Sequence, residues 1–184
     1  MDFTSHYESP LGGITVASDG VSLVGIWFDG QAHFGSTLAA EYRQSDTLPV
    51  IVSAKRWLDK YFDGNALMWP CSGGVEGGSE MPLLLRGSDF SCRVWRRLCE
   101  IPYGETLTYG QLARDIGCCS ARAIGAAVGR NPISLIVPCH RVIASDGSLA
   151  GYAAGRQRKE WLLLHEWHSA KKQQGCCTRQ PCYL

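Results

Sequence analysis

The stretch "WPCSGGVEGGSE" (69–80) constrains this chain more than any other. It is glycine-rich and aperiodic, offers neither a helical stripe nor a strand alternation, and reads as a loop or linker. The chain therefore divides into residues 1–83 and 84–168, followed by a tail, and the parts differ in pattern and in charge. Residues 1–83 carry four Lys/Arg against ten Asp/Glu, a net of −6, whereas 84–168 carry eleven against seven, a net of +4. Residues 169–184, "SAKKQQGCCTRQPCYL", add three positive charges, lack periodicity and read as a flexible tail. An acidic part joined to a basic part suggests that only the second meets a polyanion.

In the first part, "GGITVASDGVSLVGIWF" (12–28) alternates and is β-branched, with Asp19-Gly20 as the turn between two strand-like runs; this predicts a hairpin. "LPVIVSAKRWLDKYFDG" (48–64) places Ile51, Ala54, Leu58 and Tyr61 on one helical stripe, with Asp63-Gly64 as the stop. A small sheet covered by a helix is the expected architecture.

The second part reads as helices with tight stops. "SDFSCRVWRRLCEIPYG" (88–104) has Ser88 or Asp89 as cap, and Phe90, Val94 and Leu98 at i, i+4, i+8. "TYGQLARDIG" (108–117) opens on a Thr cap and closes on Gly117. After the short connection "CCS" comes "ARAIGAAVGRN" (121–131), giving a helix–short turn–helix pattern. A hairpin signal follows at Asp146-Gly147, and "RQRKEWLLLHEW" (156–167) reads as a last amphipathic helix.

Several classes are excluded or disfavoured. No apolar run approaches the ~20 residues that span a bilayer. The opening "MDFTSHYESPLGG" lacks the basic and apolar regions of a signal peptide, so a cytoplasmic location is expected. Nine cysteines form an odd set without a C-x-x-C pair, which argues for reduced thiols rather than a disulfide framework or a zinc site. In the first part the only Cys and His residues are His6, His33 and Cys71, and no metal is expected.

Two features carry chemistry. The helix 121–131 holds almost only Ala, Gly and small aliphatics, with Arg122 and Arg130 near its ends. It offers few side chains to read base edges in a major groove. It could instead lie close to a phosphate backbone or in a minor groove, with little sequence preference, or it could be buried against neighbouring helices. In "SLIVPCHRVIASDG" (134–147), Cys139 stands beside His140 directly after an apolar run. Neighbours on an extended chain point to opposite faces, so direct proton exchange between them is not implied.

The segments "IPYGETLTYGQLA" (101–113), "RAIGAAVGRNP" (122–132), "PCHRV" (138–142), "DGSLAGYAAG" (146–155) and "KEWLLLHE" (159–166) occur in one order. This set resembles the methylated-DNA–protein-cysteine methyltransferases, or O6-alkylguanine-DNA alkyltransferases. The likeness is clear over 88–166 and looser over 1–83, through the hairpin. It implies an α/β, ribonuclease H-like N-terminal domain with a small antiparallel sheet plus helix. That domain is joined to a mostly helical C-terminal domain with a winged helix-turn-helix-like DNA-binding motif. The implied activity is direct-reversal repair: a monomer binds double-stranded DNA through the minor groove, without cofactor. It flips out O6-alkylguanine, or to a lesser extent O4-alkylthymine, and moves the alkyl group to Cys139. Such a protein works at the nucleoid or in a nucleus.

The resemblance also assigns roles. Arg122 is the finger that fills the gap in the stack, and Tyr109 presses on the phosphate and protonates the leaving guanine. His140 is the base, Glu166 orients it, and a bridging water would link His140 to the thiol. Asn131 braces the turn before PCHRV, while the carbonyls of Cys139 and Val142 take the guanine amine. Arg130 joins the DNA contacts. Tyr152, Ala153 and Ala154 form a lid, with Ala154 leaving a roomier pocket. The connection "GCCS" departs from the more polar turn of relatives. Two other classes compete: a damage-binding module without chemistry, and a Cys-His hydrolase, for which no oxyanion arrangement is recognisable. A thioether has no carbonyl for water to attack, so a transferase would act once.

Overall fold

The structure is a computed structural model that describes residues 1–65 and 81–174. The predicted linker and residues 175–184 lie outside the described residues.

The first part forms strands β1 (Asp2–Ser9), β2 (Gly12–Ser18) and β3 (Leu23–Phe28), a meander with antiparallel ladders. A short β4 (Tyr42–Gln44) pairs parallel to β1, so the order is β3-β2-β1-β4. The predicted turn holds β2 to β3: Asp19 Oδ1 accepts the amides of Val21 (2.9 Å) and Ser22 (2.7 Å). Gly20 there takes φ +103°, a left-handed conformation that glycine adopts without strain. The β2–β3 register shifts between Ala17 and Ser18, and this irregularity breaks the strict alternation of faces along β3. Leu23, Ile26 and Phe28 face the main core, while Val24 and Trp27 join Ala17 in a smaller cluster on the other face.

Helix α1 (Pro49–Phe62) starts with proline in its first turn and buries Ile51, Ala54, Leu58 and Tyr61, the predicted stripe, against the sheet. In the second part, α2 (Asp89–Cys99) is capped by Ser88, which accepts from the Ser91 amide at 3.2 Å. A two-residue strand, β5 (Leu107–Thr108), leads into α3 (Tyr109–Ile116). Thr108 and Gln111 close a capping box there, and Gly117 ends the helix at φ +69°. Helix α4 (Ala121–Gly129) is capped by Ser120. One face of it is packed and the other is open: Ile124, Ala127 and Val128 are buried, while Ala121, Arg122 and Ala126 face solvent.

Two expectations change. Asp146-Gly147 closes a tight turn, with the Ala144 amide bonded to Ser148 O at 3.0 Å, yet no second strand follows. Instead β6 (Val142–Ile143) pairs parallel with β5, a long-range partner that local pattern does not reveal. The last helix, α5 (Arg156–Gln174), runs past 168, so 169–174 are helical where their polar composition suggested a tail. "SAKKQQ" contains good helix formers, and Ser169 and Ala170 abut Gly64 and Gly104, which tie this turn to the body.

The edge of β3 matters for the site. Ile26 N donates to Pro132 O and Ser134 N to Ile26 O, both at 2.9 Å, so the segment before Cys139 is added to the first part's sheet. Ile133, Leu135, Ile136 and Val137 are consequently fully buried, and one hydrophobic cluster runs through both parts. No helix among the described residues is long and apolar enough to cross a membrane.

Candidate functional site

Cys139 opens a single 3-10 turn, Cys139–Arg141, directly after the buried 133–137 segment. Its thiol receives Asn131 Nδ2 at 3.0 Å. The same amide nitrogen donates to Val137 O at 2.7 Å, and Asn131 Oδ1 accepts the Ile133 amide at 3.0 Å. Asn131 therefore braces the turn, and it also holds a hydrogen bond on sulfur. Burial pushes the Cys139 thiol above its ordinary value; Asn131, the Lys159 charge and local backbone amides pull against that rise.

His140 and Arg141 are fully buried and converge on Glu166 of α5. Glu166 Oε1 meets His140 Nε2 at 2.7 Å, Arg141 Nη2 at 3.0 Å and the Tyr61 hydroxyl at 2.8 Å. Oε2 accepts from Arg141 Nε at 2.7 Å and the Gly104 amide at 3.2 Å. Burial alone would raise the Glu166 carboxyl, but the charges and hydrogen bonds of Arg141 and His140 win and hold it well below the carboxylate range. Burial lowers His140, so its ring is neutral despite Glu166. With the carboxylate at Nε2, the proton sits on Nε2 and the Nδ1 lone pair is left basic. Nδ1 is buried and has no hydrogen-bond partner among the described residues. No hydrogen bond joins the His140 ring to the thiol directly, which suits a bridged rather than a direct proton path.

A cavity of about 310 Å³ is lined by Tyr109, Gly125, Val128, Gly129, Gly151, Tyr152 and Ala153. Tyr109, the first residue of α3, is pushed up to about 12 by burial and then by the Cys139 charge, so it is a protonated donor at neutral pH. Tyr152 is likewise raised by burial and by Cys139. Arg122 and Arg130 are exposed, in the first turn and at the C-cap of α4.

Two further expected groups have defined surroundings. Ala154 is buried, 7% exposed, and Ala153 rather than Ala154 borders the cavity. The Val142 carbonyl, expected to face a base, already accepts Lys159 Nζ at 2.6 Å, and the Cys139 carbonyl accepts the Val142 amide.

Sequence reasoning missed three residues. Lys159 is fully buried, bonds the carbonyls of Val142 and Ala150, and is depressed to about 8 by burial. Arg141 pins Glu166 and also donates to Ile101 O at 2.6 Å. Tyr61 arrives from the other part of the chain. Lys159 and Arg141 stood inside quoted motifs, but a cation beside apolar residues gives no sign of burial; for Tyr61 only its place on the helical stripe was visible.

A buried thiol, a neutral histidine and a pinned carboxylate mark a candidate site for thiol chemistry in a fold that also carries a helix-turn-helix. Residues 89–168 match the profile described as 6-O-methylguanine DNA methyltransferase, DNA binding domain, and 3–67 match its ribonuclease-like domain. The methylated-DNA–protein-cysteine methyltransferase of Haemophilus influenzae is 37% identical over 165 residues, 89% of this chain and 86% of that protein. That of Mycobacterium bovis is 40% identical over 167 residues, 86% and 90% of the two chains. The Mycobacterium tuberculosis OGT crystal structure in complex with DNA superposes with a TM-score of 0.75 at 38% identity, covering 91% of this chain and 94% of that one. The chain belongs to the methylated-DNA–protein-cysteine methyltransferase family.

Proposed function

We propose that this protein repairs O6-alkylguanine in double-stranded DNA by moving the alkyl group to Cys139 in a single turnover. The observation that carries the reading is the Cys139 sulfur, held by Asn131, whose charge acts on Tyr109 and Tyr152, two tyrosines that line a cavity.

Alkyl transfer is an in-line displacement at an sp³ carbon and needs a soft, ionised nucleophile. The thiol proton passes through a bridging water to His140 Nδ1, and Glu166 steadies the imidazolium that forms. Asn131 and Lys159 favour the thiolate against burial. As the S–C bond forms, the C–O6 bond breaks and its electron pair stays on guanine, which takes a proton from Tyr109. The thioether has no acyl carbon, so the protein is consumed.

DNA approaches α4 as a monomer's minor-groove ligand, with phosphate and groove contacts that carry little sequence information. A Cβ at Gly125 or Gly129 would meet no atom of the protein within 4 Å. Glycine inside a helix costs roughly 1 kcal/mol relative to alanine. The chain's own packing does not require these two glycines; a ligand approaching closely from outside does. Arg122, exposed in the first turn of α4, fills the gap left by the extruded base, and Arg130 contacts the backbone. Tyr152 and Ala153 close over the base.

Titrating a duplex carrying one O6-methylguanine with the protein tests this. Lesion loss is expected to equal the moles of protein and then stop. Continued turnover contradicts the thioether chemistry, and tight binding without lesion loss makes the protein a binding module.

A further inference from the structure

We propose that Tyr61, on α1 of the N-terminal part, is a positioning residue for the transfer, its hydroxyl aiming and moderating Glu166 as the partner of His140. The inference rests on the Cys139–His140–Glu166 reading above and goes beyond it, because it makes the N-terminal part a contributor to the chemistry.

The hydroxyl donates to Glu166 Oε1 at 2.8 Å, the same oxygen that meets His140 Nε2 at 2.7 Å. Arg141 grips both carboxylate oxygens and sets their plane. The phenol reaches that plane from a helix 105 residues distant in sequence. Its ring is fixed from several sides: stacked on Trp57 with centroids at 5.2 Å, edge-on to Phe62 and Tyr103 at 5.3 and 6.1 Å. Its own carbonyl bonds His165 Nε2 at 2.7 Å, which ties α1 to α5. Phenylalanine would satisfy this packing. The hydroxyl is fully buried, and Glu166 satisfies it as a buried polar group requires. Burial and the Glu166 charge keep the phenol protonated, so it stays a donor.

The consequence is electrostatic. Each donor on Oε1 draws carboxylate charge away from the His140 N–H. Without the Tyr61 hydroxyl, Glu166 pulls harder on His140, the imidazolium is stabilised, and the ring holds a proton to higher pH. Below that pH it cannot take the thiol proton. The other titratable groups facing this pair are Cys139, Arg141, Tyr103, Tyr152, Lys159 and His165, and none of them is altered by Tyr61→Phe.

The test uses the full chain and an O6-methylguanine duplex, with single-turnover rates measured from about pH 5 to 9, around the histidine range. Wild type, Tyr61→Phe, Glu166→Gln and the double variant are compared at matched folded fraction. Tyr61→Phe is expected to move the acid limb upward by about half a unit to one unit, and to have no further effect once Glu166 is Gln. An unmoved acid limb, or an effect of equal size in the Glu166→Gln background, overturns the proposal and leaves Tyr61 as packing. Cys139→Ala is run alongside. If that variant still removes the methyl group, the underlying reading fails; if it is inactive while the Tyr61 effects are additive, only this inference fails.

Discussion

Replacing Glu166 by glutamine tests how the buried polar cluster is held together. The change keeps shape but removes the negative charge around which Arg141, His140, Tyr61 and the Gly104 amide are arranged. Arg141 and Glu166 are both fully buried. Removing one partner of a buried ion pair costs about 3–5 kcal/mol, because the remaining charge keeps its desolvation penalty. At about 2–4 °C per kcal/mol for a chain of this size, the melting temperature falls on the order of 10 °C. The pH dependence has a defined sign. The folded carboxyl titrates below its ordinary value of 4.5, so its stabilisation is fully present above that value and is lost as pH falls from there. Wild type therefore has an acid slope that Glu166→Gln lacks, and the two stability curves converge at low pH. Urea denaturation at stepped pH measures both. A loss below about 1 kcal/mol, or an unchanged acid slope, refutes the reasoning.

Lys159→Met removes a cation that favours the Cys139 thiolate, so the rate–pH profile for transfer shifts to higher pH. In wild type, burial holds the lysine at about 8 against 10.5 when unfolded, so stability should rise between those values and Lys159→Met should abolish that rise. Asn131→Ala removes the donor to sulfur and leaves the Val137 carbonyl without that partner; single-turnover rates at neutral pH should fall, and unfolding should show a loss of about 1–3 kcal/mol. Gly104→Ala meets two obstacles, a φ of +77° and a Cβ placed 2.9 Å from Ala170 Cβ. Calorimetry should record destabilisation of about 1–3 kcal/mol, with a weakened amide contact to Glu166.

What the sequence made legible follows from the range of the forces involved. The Asp19-Gly20 turn, the Ser88 and Thr108 caps, the Gly117 stop and the α1 stripe are all settled within a few residues, and all stand in the structure. The Cys139, His140, Asn131 and Glu166 set was identified through ordered motifs, and all four share hydrogen bonds, Asn131 with Cys139 and Val137, and His140 with Glu166 and, through it, Arg141. The parallel pairing of β5 with β6 and the addition of 132–134 to the β3 edge were not visible, since strand partners distant in sequence leave no local periodicity. Tyr61 was read as core because its stripe position is a core position; only tertiary packing brings its hydroxyl to a carboxylate on α5. Lys159 and Arg141 were overlooked for a related reason: a charged residue is solvated by default, and burial depends on partners from other elements. The over-short last helix reflects the weight given to polarity, where Ala, Lys and Gln propensity and contacts at Gly64 and Gly104 prevail.

The central claim concerns where the alkyl carbon ends up. After incubation with an O6-methylguanine duplex, intact mass followed by peptide mapping is expected to place one added methylene equivalent on the peptide containing Cys139, and none on the same peptide of Cys139→Ser. Methylation of another cysteine, or lesion loss with the Cys139 peptide unchanged in mass, contradicts the account.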